Sequence, residues 1–438
     1  MDVAEILLDQ GVARARRRLL PFLLSMYVVS FLDRTNIGFA KQALQQSAGI
    51  SEAAYALGAG LFFLTYALFE TPSNLILHRV GAKVWLSRIM VTWGLISAAT
   101  LFARGAVSFC LLRLLLGAAE AGFFPGVILY LTYWFPNRIR GQMLGLFYLG
   151  VPLAFVLGAP LSGFLLDIRG PQMHGRLNLQ GWQWMFLVEG LLAVVGGAVT
   201  FWYLDDKPDH ASWLPEPEKQ VLLASLSFEE SERRAHGPSS FPALFKSPRV
   251  LLFALIYFSI QVGVYGVVFY LPTYVASILG ESIGMRVGLV SAVPWIFSLI
   301  ATFLLPRLGD RHRNHGLLAS LCLLSSGLAI SLLAVTGATA GSGLALAALC
   351  VAASGLLAVQ PLFWTFPTKY LAGTGAAGGI AMISALGNLG GLMAPNIKVW
   401  AELHFRSHQA GPFALAAFVF PGAYLIAALG KRKTMPQS

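Results

Sequence analysis

"VVSFLDRTNIGFA", residues 28–40, interrupts an apolar run with two adjacent charges, Asp33 and Arg34, and then lets the run resume. A charge at the centre of a membrane-spanning helix costs roughly 2.5–3.5 kcal/mol on insertion scales. Either the run does not span a membrane, or the two charges face something other than lipid. The rest of the chain chooses between these. It is 56% hydrophobic and 12% charged, against about 25% charged in a soluble domain. Apolar stretches of spanning length recur throughout, near 19–40, 53–77, 85–103, 106–133, 143–166, 183–204, 248–278, 284–305, 315–336, 342–365, 375–399 and 411–430. The fold class expected is therefore an all-α membrane protein of twelve transmembrane helices, and the charges in span 1 face its interior.

Six spans precede a polar segment, "DDKPDHASWLPEPEKQVLLASLSFEESERRAHGPSS" (205–240), and six follow it. Three units are expected: an N-terminal six-helix half (1–204), a linker (205–247) and a C-terminal six-helix half (248–438). Within the linker, 216–230 reads as an amphipathic helix with Val221, Leu222, Leu226 and Phe228 apolar. The net charge of +11 is read by location, not as a nucleic-acid signal. Basic residues crowd the short segments on one side, among them Arg16, Arg17, Arg18, Arg79, Lys83 and Arg307. This bias predicts that both termini and the linker are cytoplasmic. The basic stretch at 14–18 precedes a run of full membrane length with no small-residue cleavage site, so an uncleaved first helix is expected. Cys110, Cys322 and Cys350 lie in apolar runs without metal-ligand spacing, so neither a metal nor another cofactor is expected.

The halves echo each other. "NLILHRVGAK" (74–83) follows span 2 and "LPRLGDRHRN" (305–314) follows span 8, each a tight basic turn at the inner side. Related six-span halves are a common plan of secondary transporters.

The charges inside spans are few: Asp33, Arg34, Glu70, Arg113, Glu120 and Glu189. Depth sorts them. At 1.5 Å per residue, Arg34 lies about 22 Å above Leu19 at the inner face, and Arg113, on a span running the other way, lies about 10 Å below the outer face. In a core about 30 Å thick the two arginines share one level. Two guanidiniums at one level repel unless an anion lies between them, and two forks can hold one carboxylate. Glu120 follows Arg113 by two helical turns and sits near mid-membrane, as does Tyr66 on span 2. Asp33 and Glu120 are the acids best placed to carry a proton. Pairs such as Asp33 with Arg34, or Glu120 with Arg113, can instead be ion pairs that fix packing. Glu70 and Glu189, towards the membrane faces, are read as such packing charges. Gln261, Tyr265, Gln360 and Asn388 can hydrogen-bond substrate hydroxyls, and Trp364 can stack on an apolar face; Gln261 and Gln360 serve equally well as helix-to-helix bonds.

Five stretches then carry a resemblance: "FLDRTNIGFA" (31–40), "RLLLGAAEAGFFPG" (113–126), "YWFPNRIRG" (133–141), "GWQWMFLVEG" (181–190) and "FWTFPTKYLAGT" (363–374). They resemble the anion:cation symporter branch of the major facilitator superfamily, in particular its bacterial sugar-acid and hydroxy-acid permeases of the rhamnonate, galactonate and tartrate type. The resemblance implies that Asp33 and Arg34 contribute to proton coupling and to the substrate site. It implies that Arg113 binds the substrate carboxylate, that Glu120 carries a proton, and that Tyr66, Trp364 and Asn388 line the cavity. It also implies gating by the two inner turns, at His78 with Arg79 and at Asp310 with Arg311. The first turn departs from the family pattern, because His78 stands where an aspartate is usual.

The expected activity is proton-coupled uptake of a small carboxylate, most simply a sugar acid such as an aldonate or tartrate. An aromatic acid is the alternative, since span 7, "YFSIQVGVYGVVFYLPTY" (257–274), is rich in aromatics. A receptor or an integral enzyme fits less well: there is no HExxH, no GxSxG and no large extramembrane domain. The partners expected are the anion, protons and the lipid bilayer of a bacterial-type inner membrane. A monomer is expected, with no nucleic acid involved.

Overall fold

The computed structural model describes residues 3–168, 179–235, 247–312, 314–336, 342–370 and 374–431. Some side chains within these ranges, among them those of His78 and Asp310, lie outside the description. All regular structure in the described residues is helical. The first half holds α1 (Val3–Ser47), α2 (Glu52–Val80), α3 (Ala82–Ala99), α4 (Gly105–Glu120), α5 (Phe123–Trp134), α6 (Asn137–Tyr148), α7 (Gly150–Asp167) and α8 (Gly181–Tyr203). A linker helix, α9 (Glu216–Ala235), follows. The second half holds α10 (Pro248–Leu279), α11 (Met285–His312), α12 (His315–Thr336), α13 (Ser342–Tyr370), α14 (Thr374–Phe405) and α15 (Ala410–Lys431).

Among the described residues, ten stretches are long and apolar enough to cross a membrane. One of them joins α4 to α5 and another includes all of α7. The twelve spans are completed by α1, diluted by Asp33 and Arg34, and by α14, diluted by glycine, asparagine and a charged outer end. Span 4 breaks immediately after Glu120. Gly122 adopts φ 88°, a left-handed conformation that favours glycine, and a Cβ there would strike Ser73. The break leaves Glu120 as the last residue of α4, where the helix dipole disfavours a negative charge unless a cation offsets it.

Helix pairing repeats between the halves. Numbered as spans, 3 packs on 6 (α3 on α8) as 9 packs on 12 (α12 on α15). Span 2 packs on 4 (α2 on α4) as 8 packs on 10 (α11 on α13), and 1 packs on 5 (α1 on α7) as 7 packs on 11 (α10 on α14). The joints between halves obey the same rule: 2 on 11 (α2 on α14) mirrors 8 on 5 (α11 on α7), and 1 meets 7 (α1 on α10). A shift of six spans maps the packing onto itself, as expected of two copies of one six-helix unit.

Small residues allow the close crossings. A Cβ on Gly94 of α3 would lie 2.5 Å from the Gly190 carbonyl oxygen of α8. The helix α1 extends well past its apolar run at the inner end, where Arg14 Nε donates to Glu218 Oε1 of α9 at 3.0 Å. Leu222 and Leu226 of α9 are buried, whereas Phe228 is exposed.

One end of the bundle is closed by contacts between the halves. We label it the outer end, after the orientation expected from the Lys and Arg bias. There the Tyr55 hydroxyl donates to the Phe269 carbonyl at 3.4 Å and Asn396 Nδ2 donates to the Ala56 carbonyl at 3.3 Å. The Met285 amide donates to Asp167 Oδ2 at 2.7 Å. Lys41 and Lys398, from opposite halves, both approach the ring of Tyr270, at 4.7 and 4.1 Å from its centroid. Each lysine is held by its own acid: Lys41 by Glu52 at 2.8 Å and Lys398 by Glu402 at 2.7 Å.

Candidate functional site

Arg34 is the hub. Its Nε and Nη2 both donate to Glu120 Oε1, at 2.9 and 2.6 Å. Its Nη1 donates to the Tyr265 hydroxyl of α10 at 3.4 Å, which reaches across to the other half. The rings of Phe31, Phe62 and Tyr66 surround the guanidinium, with centroids 4.9, 5.5 and 5.0 Å away. Ser30 Oγ donates to the same Glu120 oxygen at 3.0 Å, and Glu120 Oε2 has no hydrogen-bond partner among the described residues. The pair is buried, Glu120 completely. Breaking a buried ion pair is strongly destabilising, so whatever takes Glu120 from Arg34 must replace its charge or neutralise it.

Arg113 is also buried, at 3% exposure, but it is not paired in this way. Its guanidinium lies 4.9 Å from the centroid of Phe62, the ring that Arg34 also approaches. Its Nε has no hydrogen-bond partner, and among the described residues no carboxylate lies within ion-pair distance. The two arginines lie close to each other, with the Phe62 ring beside both. The alternative pairing of Glu120 with Arg113 along one helix face is not the one observed: the acid turns from its own helix to α1.

Asp33 turns away from Arg34. Its Oδ1 accepts from Ser97 Oγ at 2.6 Å and from Asn36 Nδ2 at 3.3 Å, and its Oδ2 accepts from Trp93 Nε1 at 2.8 Å. Adjacent residues on a helix diverge by about 100°, which puts Asp33 against α3 and Arg34 in the central space. Glu70 and Glu189, expected as packing charges towards the membrane faces, are buried within the protein. They are 2% and 1% exposed, and each keeps one oxygen without a hydrogen-bond partner among the described residues. Position along a helix axis does not reveal which side faces protein.

The second half supplies neutral polar groups. Gln261 Nε2 donates to Asn388 Oδ1 at 2.8 Å, a bond from α10 to α14, and Asn388 Nδ2 reaches Ser384 Oγ at 3.4 Å. Gln261 Oε1 has no partner among the described residues. Gln360 is buried on α13, and Trp364 on the same helix meets the ring of Tyr257 edge-on at 5.0 Å. Arg79 and Arg311 are exposed at the inner ends of α2 and α11; the side chains of His78 and Asp310 fall outside the described set. Ser30, Phe62, Trp93 and Ser97 complete the site, yet nothing in their local sequence distinguishes them from packing residues.

A twelve-helix bundle of two related halves, with ionisable side chains buried between them, is the architecture of a membrane transporter. The chain belongs to the Major Facilitator Superfamily, whose family pattern matches residues 23–395. It is 45% identical over 432 residues to the inner membrane transport protein RhmT of Escherichia coli (strain K12), covering 99% of this chain and 98% of that one. It is 40% identical over 416 residues to a candidate tartrate transporter of Agrobacterium vitis, covering 94% and 90%. It is 41% identical over 379 residues to a quinolone resistance transporter of Acinetobacter baumannii, covering 86% and 85%. The fold is similar to that of the E. coli xylose transporter XylE, with a TM-score of 0.72 over 96% of this chain and 97% of that one, at 13% identity.

Proposed function

We propose that the protein is a proton-coupled symporter that takes up a small organic carboxylate, most simply a sugar acid such as an aldonate or tartrate. The observation that carries this reading is Arg113: a buried guanidinium with an unpartnered Nε, set against the same ring as an arginine already held by Glu120. The substrate carboxylate binds Arg113 and competes with Glu120 for Arg34. Protonation of Glu120 weakens its hold on Arg34 and lets the anion take its place, so proton and anion load together. Tyr66, Tyr265, Gln261, Gln360 and Asn388 bond the hydroxyls, and Trp364 covers an apolar face. Asp33 carries a further proton beside this site.

Charge supports coupling. An interior-negative potential opposes entry of a monoanion by about 2.3 kcal/mol per 100 mV, and each proton carried with it offsets one such charge. Gating is assigned to the two inner turns, through His78 with Arg79 and Asp310 with Arg311. The halves 1–204 and 248–438 rock about the site, joined by the linker 205–247, with both termini cytoplasmic, in a bacterial-type inner membrane and as a monomer. A second reading, an aromatic acid, is favoured by the Tyr257, Phe363 and Trp364 rings packed together beside the neutral wall. The deciding experiment is a proteoliposome uptake screen of aldonates, tartrate, hydroxyphenylacetate and a quinolone under an imposed pH gradient. Sugar-acid accumulation that collapses with the gradient supports the reading; accumulation of none of the carboxylates overturns it.

A further inference from the structure

The joint between α7 and α11 at the outer end holds a helix cap that α11 cannot make alone. The helix starts at Met285, and Gly284 stands at its N-cap position: the Gly284 carbonyl accepts the first intrahelical bond, from the Gly288 amide at 2.8 Å. A Ser, Thr, Asp or Asn at that position would offer its own oxygen to a free amide of the first turn. Glycine has no side chain to do so. The oxygen comes instead from the other half: Asp167 Oδ2, on the last residue of α7, accepts from the Met285 amide at 2.7 Å. Just before it, the Ile283 amide donates to Gln42 Oε1 of α1 at 3.4 Å.

The glycine also admits the acid. A Cβ on Gly284 would collide with Asp167 Oδ1. One turn back along α7 the crossing is equally close, since a Cβ on Gly163 would lie 2.6 Å from the Gly284 carbonyl oxygen. Asp167 is badly placed for its own helix and well placed for the other. It ends α7, where the helix dipole disfavours a negative charge, and it meets the start of α11, where the dipole favours one.

We propose that Asp167 is a latch between the halves: a cap for α11 supplied in trans, made only while the outer end is closed, that biases the carrier towards that state. When the halves part here, the acid is left at the unfavourable end of α7 and the Met285 amide turns to water. Asp167 is exposed, so water replaces the bond on both sides and the bias is weak enough to be reversed. The bond belongs to one state and not to the other, so removing it changes their ratio. A cap contained within α11 would stabilise both states alike and leave the ratio unchanged. The inference rests on the chain being a transporter whose halves move against each other, and not on the substrate or on proton coupling.

The test is a distance measurement between spin labels on Ser47→Cys, at the end of α1, and His408→Cys, between α14 and α15, in the purified full-length protein with Cys110, Cys322 and Cys350 replaced by alanine. Both labelled positions are exposed and they belong to opposite halves. Two variants remove the latch from either side: Asp167→Ala deletes the oxygen, and Gly284→Ala evicts it. Each should raise the ratio of wide to narrow separations about fivefold, the factor that one typical helix cap is worth. A third variant separates the latch from the fold. In Asp167→Ala combined with Gly284→Ser, the serine takes the space the carboxylate leaves and caps α11 from within its own half. Its melting temperature should recover towards the parent's while the ratio stays raised. An unchanged ratio in Asp167→Ala overturns the proposal. So does a ratio that returns to the parent's in the double variant, because the bond would then serve α11 alone. Failure of the protein to take up any carboxylate would count against the symport reading and leave the latch standing.

Discussion

Replacing Glu120 by glutamine separates binding from coupling. In the structure one carboxylate oxygen takes two bonds from Arg34 and one from Ser30. Glutamine keeps an oxygen in that place but not the charge. Removing one partner of a buried pair costs about 3–5 kcal/mol, and the retained oxygen puts this variant near the lower end. About 3 kcal/mol, at 1.4 kcal/mol per decade, is roughly two orders of magnitude in any competition between Glu120 and a substrate carboxylate for Arg34. Three consequences follow from that figure. Without ligand, Glu120→Gln unfolds at a lower temperature than the parent. With ligand, it gains more stability than the parent, because the anion restores the missing charge. Its affinity at high pH exceeds the parent's by up to about a hundredfold and no longer depends on pH, since the competitor is permanently neutral. In proteoliposomes it exchanges substrate by counterflow yet does not accumulate it against a gradient. The assays are calorimetric titration across pH, and counterflow against proton-driven uptake. Full gradient-driven accumulation by Glu120→Gln, or a pH-dependent affinity like the parent's, would refute the role given to Glu120 and leave it as a structural partner of Arg34.

Arg113→Lys keeps the charge and loses the fork, so the uptake KM should rise by about tenfold or more with normal membrane insertion; an unchanged KM removes Arg113 from the clamp. Tyr270→Ala takes away the ring that Lys41 and Lys398 share, leaving two like charges near each other across the joint. Phe63→Cys, placed in the buried contact between halves, should then react faster with a membrane-impermeant maleimide added from outside; an unchanged rate means that this cluster does not hold the outer end shut. Gly94→Val forces α3 off α8 and should lower stability by about 1–3 kcal/mol or more, read as a lower melting temperature. Gly145→Ala, where a Cβ meets nothing within 4 Å, should not.

The fold was legible because hydrophobic length acts along the chain and survives into the structure. Counting 1.5 Å per residue from opposite faces brings Arg34 and Arg113 to one depth, and both guanidiniums approach Phe62. Rotation was not legible. Whether Glu120 meets Arg113 on its own helix or Arg34 on another depends on how α4 turns against α1, and the break at Gly122 sets that locally. Asp33 finds Trp93 and Ser97 some sixty residues away, a match that no local sequence pattern encodes. Glu70 and Glu189 were read as interfacial because depth was the only coordinate available. Their burial comes from facing protein at whatever depth they lie, which hydropathy along one helix does not encode.

The distribution of charge between the halves bears on how such a carrier moves. The ionisable groups of the candidate site, Arg34, Arg113, Glu120 and Asp33, all belong to the first half. The second half contributes hydroxyls, amides and rings, through Tyr265, Gln261, Asn388 and Trp364. A buried ion pair that spanned the joint would have to break in every cycle, at several kcal/mol each time. Among the described residues, the direct hydrogen bond from the charged cluster to the opposite half is Arg34 Nη1 to the Tyr265 hydroxyl, at 3.4 Å a long one. The strong pair stays within one half while the weak bond crosses. At the outer end the same rule holds for Lys41 with Glu52, paired within the first half, and for Lys398 with Glu402, paired within the second. What joins those two pairs is the ring of Tyr270, whose attraction to each ammonium is of order 1–2 kcal/mol when desolvated. On the function proposed above, strong electrostatics inside each half and weaker contacts between them keep either opening within thermal reach, so that what binds at the site decides which one prevails.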